Sequence, residues 1–317
     1  MVHLGRYGVW SLFWRLTPTR ARHIERLGYR ALWLGGSPSD LIPVRVVLEA
    51  TSNIVVGTSI VNIFQTDPKA IGDEFVRLSA DFPDRVVLGL GIGHQERLPA
   101  RKVKPLSLMN EYLDVLDQCG VSADRRFIAA LGPKMLRLSA ERAAGTLPYL
   151  APAANTRNAR ALVDTSTLIV AEHKVVLEPD LDLARAQARA TVGGYFSAPN
   201  YVANLRRYGY TDADFADNGS DRLIDAVVAT GAAETIVDEL DKHLDAGADH
   251  VAIQVIEPDA DAWHTEMKMY LTEGRVPAVI EKTPDYLLDT LAQLSATIHE
   301  RQADSGDART APATAYQ

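Results

Sequence analysis

The stretch most suited to chemistry runs from Arg85 to His94 and reads Arg-Val-Val-Leu-Gly-Leu-Gly-Ile-Gly-His. Its first half is apolar without polar alternation, which is typical of a strand covered on both faces. The glycines at positions 89, 91 and 93 remove side chains where this strand ends, so a flat ring could lie against bare backbone there. His94 is the first functional side chain beyond them. A tight turn without a ligand is the alternative interpretation of the same glycines.

The dinucleotide-binding fingerprint does not fit this stretch. Its G-x-G-x-x-G spacing requires a glycine at the position of His94, and Pro99 stands where the helix should continue. A second apolar run, from Ile54 to Asn62, also ends in small and polar residues. We therefore expect two parallel strands whose carboxyl ends meet at one site.

A protein-bound catalytic metal is not expected. The eight histidines are scattered, and the one helical pair, Glu239 and His243, is better explained by a hydrogen bond on a helix flank than by metal ligation. The sequence therefore indicates a roomy site with few acid/base groups, which suits a protein that leaves the difficult chemistry to a cofactor.

The elements that must position these residues alternate between short apolar runs and helical patterns. Eight strands are predicted, at 7–10, 31–34, 54–62, 85–91, 126–130, 146–150, 168–177 and 249–255. Because no consecutive hairpins interrupt the alternation, an α/β protein with parallel strands is favoured. Closure into a (β/α)8 TIM barrel is the best architecture, and an open doubly wound sheet is the alternative.

The pattern predicts one domain at 1–301, with a long helical insertion between strands seven and eight and a helical extension at the carboxyl terminus. Residues 257–283 are polar and irregular by pattern, and 284–300 form an amphipathic helix. Residues 302–317 lack core residues and are expected to be disordered.

In a barrel the site lies at the carboxyl ends of the strands, so the candidates follow from position. They are Trp10-Ser11, Gly35 to Ser37, Ser59 to Asn62, Gly91 to His94, Leu131 to Pro133, Leu150 to Thr156, His173-Lys174 and Gln254. Trp10, Gly36 and Ser37 are the candidates for the substrate pocket. Alternation along strand seven sends Glu172 and Lys174 to the face opposite His173, and either face could line the lumen.

The composition and net charge of the chain limit the classes of partner that it can bind. At 317 residues with 47% hydrophobic content the chain can bury one large core, and its lone cysteine excludes an internal disulfide framework. Neither a signal sequence nor a membrane span is apparent, so a soluble, cytoplasmic protein is expected. The net charge of −8 argues against nucleic acid or an anionic membrane, leaving a small-molecule substrate.

Several segments together carry a family resemblance. The combination of Leu32-Trp-Leu-Gly-Gly-Ser-Pro38, Val56-Gly-Thr-Ser-Ile-Val-Asn-Ile63 and Leu88-Gly-Leu-Gly-Ile-Gly-His94 resembles the bacterial luciferase-like superfamily, and most closely its branch of probable F420-dependent oxidoreductases. Further segments agree in order along the chain, among them Ala129 to Leu136 and His243 to Val251. The resemblance covers most of residues 4 to 256.

The resemblance implies a TIM barrel that binds a flavin or 5-deazaflavin at the strand carboxyl ends. In such relatives a non-prolyl cis peptide in a bulge of strand three presses on the ring, and the matching bond here is Ser59-Ile60. Asn62, Gly91 and Gly93 match positions beside the ring. Gly132, Pro133 and Thr156 match regions that hold the cofactor's side chain and phosphate. His94 falls where deazaflavin-dependent relatives often carry an acid/base glutamate, so it is the candidate catalytic residue.

The departures from the family leave three functions open. Gly36 stands where some sugar-oxidising relatives carry a catalytic histidine, so that chemistry does not carry over. A hydride-transferring oxidoreductase with coenzyme F420 is the preferred reading, and the poly-glutamate tail of F420 would call for basic residues such as Lys134, Arg157 or Arg160. An FMN-dependent monooxygenase and an inactive flavin-binding or partner subunit are the alternatives. Relatives are often dimers, so a homodimer is possible.

Overall fold

Parallel strands close into a barrel in the computed structural model, which describes residues 2–36, 38–93, 104–279 and 284–305. The strands are β1 Tyr7–Leu12, β2 Ala31–Gly35, β3 Val55–Thr58, β4 Val61–Asn62, β5 Val86–Gly91, β6 Arg126–Ile128, β7 Gly145–Thr146, β8 Leu168–Leu177, β9 Val228–Gly231 and β10 His250–Val255. The strand β10 pairs with both β1 and β8, which closes the sheet. The predicted (β/α)8 TIM barrel is therefore confirmed, and the open doubly wound sheet is excluded.

The ten strands of the described residues correspond to the eight staves of the barrel, because one stave is divided into two strands and one strand lies outside the staves. The third stave is interrupted, so that β3 and β4 are separated by Ser59 and Ile60 and both pair with β5. The short strand β9 pairs with the upper half of β8. The interruption in the third stave places a bulge at the carboxyl end of the barrel.

Helices surround the barrel and fill the connections. They are α1 Pro18–Arg26, α2 Ile42–Ala50, α3 Pro68–Asp81, α4 Pro105–Gln118, α5 Pro133–Arg142, α6 Ala153–Leu162, α7 Leu181–Val192, α8 Pro199–Arg206, α9 Asp212–Phe215, α10 Asp221–Val227, α11 Ala233–Asp245, α12 Ala260–Glu273 and α13 Tyr286–Ser305. The predicted insertion between the last two staves holds α7 to α11 and β9. The helix α13 continues past residue 301, the predicted end of the domain.

The prediction that 257–283 is irregular was wrong. Residues 260–273 form the 14-residue helix α12, whose start is capped by Asp259 accepting from the Ala262 amide at 2.9 Å. Gly274 ends it with a φ of 66°, the left-handed conformation that glycine adopts most readily at this position. The helix escaped detection because its apolar residues are few and do not form a fully buried face.

Alternation along the strands sorts the core into an outer and an inner part. Outward residues such as Leu32 and Val56 pack against the helices, whereas Trp33, Val87 and Phe127 fill the lumen. The rings of Trp33 and Phe127 meet edge to face at 5.5 Å. Since these side chains occupy the lower lumen, a ligand could enter only from the carboxyl ends of the strands, called here the mouth.

Among the described residues, none of the helices combines the length and the apolar character that crossing a membrane requires.

Candidate active site

The bulge in the third stave is seated on the glycines of β5. A Cβ at Gly89 would lie 2.0 Å from the carbonyl oxygen of Thr58, and one at Gly91 would lie 2.7 Å from Cγ1 of Ile60. The Thr58 hydroxyl also donates to the Gly89 carbonyl and accepts from the Gly89 amide, both at 2.9 Å. The glycines of β5 thus make room for the third stave. The expectation that they leave bare backbone for a ring is wrong for Gly89 and Gly91, whose open side is filled by the bulge.

Gly93 continues the same arrangement beyond the end of β5. Its φ is 66°, and a Cβ there would lie 2.4 Å from Nδ2 of Asn62. The Asn62 side chain is 9% exposed, and its Oδ1 accepts from the Phe64 amide at 3.0 Å. The glycines at 89, 91 and 93 therefore face Thr58, Ile60 and Asn62, which are every second residue of the third stave.

The peptide bond between Ser59 and Ile60 is cis, as the resemblance implied. The Ser59 hydroxyl accepts from the Trp10 indole Nε1 at 3.0 Å, which ties the bulge to β1 across the lumen. Ile60 is half-buried and packs against the cluster of side chains that fills the lumen. The bulge therefore presents Ser59 and Ile60 at the mouth.

An ion pair lies in the lumen opposite the bulge. The ammonium of Lys174 contacts both carboxylate oxygens of Glu172, at 2.9 and 3.0 Å, and the two side chains are 0% and 5% exposed. Glu172 Oε2 also accepts from the Leu150 amide at 3.1 Å. Burial lowers the pKa of Lys174, and the Glu172 carboxylate opposes that shift. Glu172 and Lys174 therefore line the lumen, which decides between the two faces left open by the sequence.

His173 lies on the opposite face of β8 and points away from the mouth. Its Nδ1 lies 2.9 Å from Nε2 of His243, whose Nδ1 is 2.8 Å from the Thr156 hydroxyl. All three side chains are at most 5% exposed. The hydrogen bond expected of His243 at the helix flank is present, but it is buried rather than at the surface, because the His243 side chain is 1% exposed. The Thr156 hydroxyl is engaged in this hydrogen-bonded series with His243 and His173. Its predicted role at a cofactor phosphate stays a prediction.

Tyr149 links the ion pair to the mouth. Its ring lies beneath the Lys174 ammonium, 3.7 Å from ring centroid to Nζ, and its hydroxyl donates to Gln254 Oε1 at 3.1 Å. The hydroxyl of Tyr195 lies 3.5 Å from that of Tyr149. Burial is the main cause that raises the pKa of Tyr149 well above its ordinary value, so the phenol is neutral at physiological pH. The single O–H of Tyr149 is donated to Gln254, and the raised pKa disfavours loss of that proton.

Aromatic side chains form the side of the mouth above β1 and β2. A Cβ at Gly35 would lie 1.9 Å from the Trp10 indole, and one at Gly36, where φ is 91°, would lie 2.7 Å from the Trp14 indole. The two glycines thus make room for two indoles. Gly36 is covered by Trp14 rather than open to a substrate, so the predicted pocket wall at this position is formed by the tryptophan.

The helix α12 lies over these aromatic residues. Tyr270 contacts Trp14 at 4.8 Å and Phe13 at 5.4 Å between ring centroids, and Trp263 and Met267 pack against the same lumen cluster. These three residues of α12 are spaced i, i+4, i+7, so they lie on one face of the helix.

Two basic residues, Arg207 and Lys134, lie near predicted cofactor contacts. A third, Arg160, is engaged elsewhere. The Arg207 guanidinium lies 3.7 Å from where a Cβ of Gly132 would be, next to the first residue of α5, Pro133. Lys134 is exposed in the same turn. Arg160, in contrast, donates to the carbonyls of Gly247, Asp164 and Thr167 and pairs with Asp249, so the suggestion that it holds a cofactor tail was wrong.

Two predicted site residues cannot be located in the structure. His94 and Ser37 lie outside the described residues, so their roles stay predictions. Tyr149, Arg207 and α12 were missed. Tyr149 lies within the predicted sixth strand, 146–150, and could have been found by assigning a role to the residues at its mouth end. Arg207 comes from the insertion, whose position the sequence pattern does not fix.

Comparisons with known proteins agree with this architecture. A family model described as luciferase-like monooxygenase matches residues 14–250. No curated protein sequence matches the chain. The fold is similar to that of a coenzyme F420-dependent tetrahydromethanopterin reductase from Methanopyrus kandleri, at 18% identity and a TM-score of 0.65 over 84% of this chain and 97% of that one.

Two further solved structures are similar. One is an F420-dependent secondary alcohol dehydrogenase in complex with an F420-acetone adduct, at 15% identity and a TM-score of 0.63 over 88% of this chain and 100% of that one. The other is the oxygenating constituent of 3,6-diketocamphane monooxygenase from the CAM plasmid of Pseudomonas putida in complex with FMN, at 13% identity and a TM-score of 0.59 over 84% and 97%. At these identities the likeness shows the fold.

Proposed function

The chain belongs to the luciferase-like monooxygenase family, and on that premise we propose that it is a cytoplasmic oxidoreductase that transfers hydride between coenzyme F420 and a small organic substrate. Two of the three similar structures act with F420, and the third holds FMN. An FMN-dependent monooxygenase is therefore the second candidate, because either ring could occupy the same slot.

The observation that carries the proposal is the bulge at Ser59 and Ile60, held at the mouth by the glycines of β5. It offers a narrow, largely apolar platform beside the aromatic side of the mouth, and a flat tricyclic ring fits such a surface. The described mouth has few titratable groups that are not already paired, so the chain's own side chains are poorly supplied for redox chemistry. A deazaflavin or flavin would supply the two-electron chemistry when bound.

The phosphate of such a cofactor would lie at the start of α5. The first amides of a helix and its positive dipole end bind anions, and Arg207 adds a guanidinium beside Gly132. Lys134 and Arg157, which are both exposed, could meet an anionic tail outside the mouth.

The chain's residues would then supply the proton that accompanies hydride transfer. His94 is the proposed donor or acceptor, as its position after β5 suggests. Tyr149 keeps a neutral phenol at the other side of the mouth, and when substrate binds its O–H would turn from Gln254 to a substrate oxygen. With these two assignments, the protein supplies the proton and orients the substrate, and the cofactor supplies only the hydride transfer.

Binding of the two cofactors tests the proposal. Purified protein is titrated with F420 and with FMN, and fluorescence gives the two dissociation constants. Micromolar or tighter F420 with FMN at least tenfold weaker supports the proposal, whereas the reverse order favours the monooxygenase. If neither binds at high micromolar concentration, the protein is not an enzyme of this kind.

Two variants separate the roles of binding and catalysis. Arg207→Ala should weaken cofactor binding by roughly 10- to 100-fold, since a charge-assisted hydrogen bond is lost, and Arg206→Ala, which removes the neighbouring arginine paired with Asp212, should not. His94→Ala should leave the dissociation constant within a few fold but reduce turnover by about 100-fold or more. Unchanged turnover would remove His94 from the mechanism.

A further inference from the structure

One face of α12 is apolar and only half-buried although it lies over the barrel. This stripe consists of Trp263, Met267 and Tyr270. None of the residues of α12 is fully buried, which is unusual for a 14-residue helix packed on a core. The stripe packs against the lumen cluster, which also includes Trp10 and contacts Ile60 of the bulge at the mouth.

Polar contacts add to the partial apolar packing of α12. Arg15, which is 8% exposed, donates from Nε to Glu266 and from Nη1 to Glu257, both at 2.7 Å. The Trp14 indole also donates to Glu266 at 2.9 Å, and His264 Nε2 lies 2.6 Å from the Ala190 carbonyl oxygen of α7. Because these contacts fix the helix from its ends and flank, its apolar stripe does not have to be buried by the protein itself.

The charges around the stripe disfavour an anion. Arg15 is shared by two glutamates, and the carboxylate of Asp40 contributes a further negative charge near Tyr270. Across the mouth, Lys174 is neutralised by Glu172. Glu257 and Glu266 share Arg15, and Glu172 is paired with Lys174, so these described groups offer no unpaired partner to a substrate anion or to a substrate cation in exchange for its lost hydration.

From these observations we propose that the substrate is an uncharged, apolar molecule that carries a ring and packs against the stripe of Trp263, Met267 and Tyr270. The inference rests on the proposed function, whose substrate class it names. Flat rings gain most from such a surface, because aromatic side chains pair with other rings at centroid separations of about 4.5–7 Å.

Three matched probes test the substrate class without any cofactor. Methyl 4-acetylbenzoate is neutral, 4-acetylbenzoate carries a negative charge, and 4-acetylbenzylammonium carries a positive charge, while the ring and the ketone are common to all. Isothermal titration calorimetry on the purified chain gives the three affinities. We expect the neutral ester to bind at least tenfold more tightly than either ion. Tighter binding of the anion or the cation than of the ester would overturn the proposal.

Substitutions on α12 locate the binding. Tyr270→Ala and Met267→Ala should each weaken the neutral probe by about tenfold, while Thr265→Ala, on the opposite and exposed face of the same helix, should leave it unchanged. Thermal melts confirm that each variant is folded. Met267→Lys places a cation in the stripe, so it should weaken the ester and strengthen the anion. Neutral binding that is the same in all four variants would overturn the proposal.

The outcome is separable from that of the proposed function. If the probe series behaves as expected but neither F420 nor FMN binds, the hydride-transfer proposal fails and the apolar site remains. If F420 binds tightly and the α12 variants leave the ester affinity unchanged, the substrate inference fails and the proposed function remains.

Discussion

At the scale of single residues, the lumen contains a charged pair that the fold holds away from water. Glu172 and Lys174 depend on each other, because either charge alone would be buried without compensation. Their position follows from alternation along β8, which the sequence predicted correctly. Which face of β8 is the lumen was open, because the sequence does not tell which neighbours each face meets.

Lys174→Met should destabilise the protein by roughly 3–5 kcal/mol, since it leaves the Glu172 carboxylate buried with only the Leu150 amide as a partner. Urea unfolding measures the change. The double variant Glu172→Gln, Lys174→Met should recover most of the loss, and Lys242→Met, whose pair with Glu239 is exposed, should have little effect. A double variant no more stable than the single one would contradict a mutual dependence of the pair.

Three buried histidines make the stability depend on pH. Burial lowers the pKa of His243 and of His250 to about 4, and burial together with neighbouring charges lowers that of His173 well below its ordinary value. The native chain therefore binds fewer protons than the unfolded chain, whose histidines titrate near 6.5. Stability should be fully present above about pH 6.5 and be lost as the pH falls toward 4.

The loss with pH can be measured by urea unfolding at pH 7.5, 6.5, 5.5 and 4.5. Each buried histidine makes the unfolding constant rise by up to about tenfold per pH unit in the window. His243→Gln should reduce the slope, because it removes one of the protons that the unfolded chain takes up. A stability that is the same from pH 7.5 to 5 would show that these histidines are not held neutral in the fold.

At the scale of elements, the third stave and β5 fit each other residue by residue. The sequence predicts the glycines of β5 as the centre of the site; the structure places them at the mouth, and their role in binding stays a prediction. Their purpose was not deduced correctly, because the sequence gives no sign that Thr58, Ile60 and Asn62 fill the space beside them. A bulge in one strand and glycines in the next form one structural unit.

Gly91→Ala tests this unit. Its Cβ would lie 2.7 Å from Ile60, so Ile60 must move, and we expect lower stability together with cofactor binding weakened by about tenfold or more. Adding Ile60→Ala removes the clash and should restore much of the stability. Gly194→Ala, where a Cβ meets nothing within 4 Å, is the matched control. Equal effects of Gly91→Ala and Gly194→Ala on unfolding and on cofactor titration would refute the fit between the two strands.

At the scale of the whole molecule, the order of the eight staves was predictable because each apolar run is separated from the next by a helical pattern. The mouth was predictable only in part. Its aromatic side joins Phe13 and Trp14, near the start of the chain, to Tyr270 of α12. Contacts between segments so far apart leave no periodic signal, and α12 lies beyond the residues 14–250 that the family model matches. The family model thus covers the barrel up to residue 250, whereas α12 lies outside its match.

The last helix connects the two ends of the barrel and should make unfolding a single event. Leu291 of α13 is fully buried among side chains of the outer core, and Arg20 of α1 pairs with Asp285 just before the helix at 2.8 Å. The Tyr29 hydroxyl also donates to the Leu291 carbonyl at 2.9 Å. The helix α13 packs on α1 and α11, so it bridges the seam where the chain closes on itself.

Leu291→Ala should therefore destabilise the entire barrel by roughly 2–5 kcal/mol, the usual cost of such a cavity. Far-UV circular dichroism reports the helices and tryptophan fluorescence reports the lumen, where Trp10 and Trp33 lie. Both signals should shift together along one urea transition, while Gln293→Ala, on the exposed side of α13, should leave both unchanged. If the helical signal shifts and the tryptophan signal does not, α13 is an appended element, and the closure of the barrel does not depend on it.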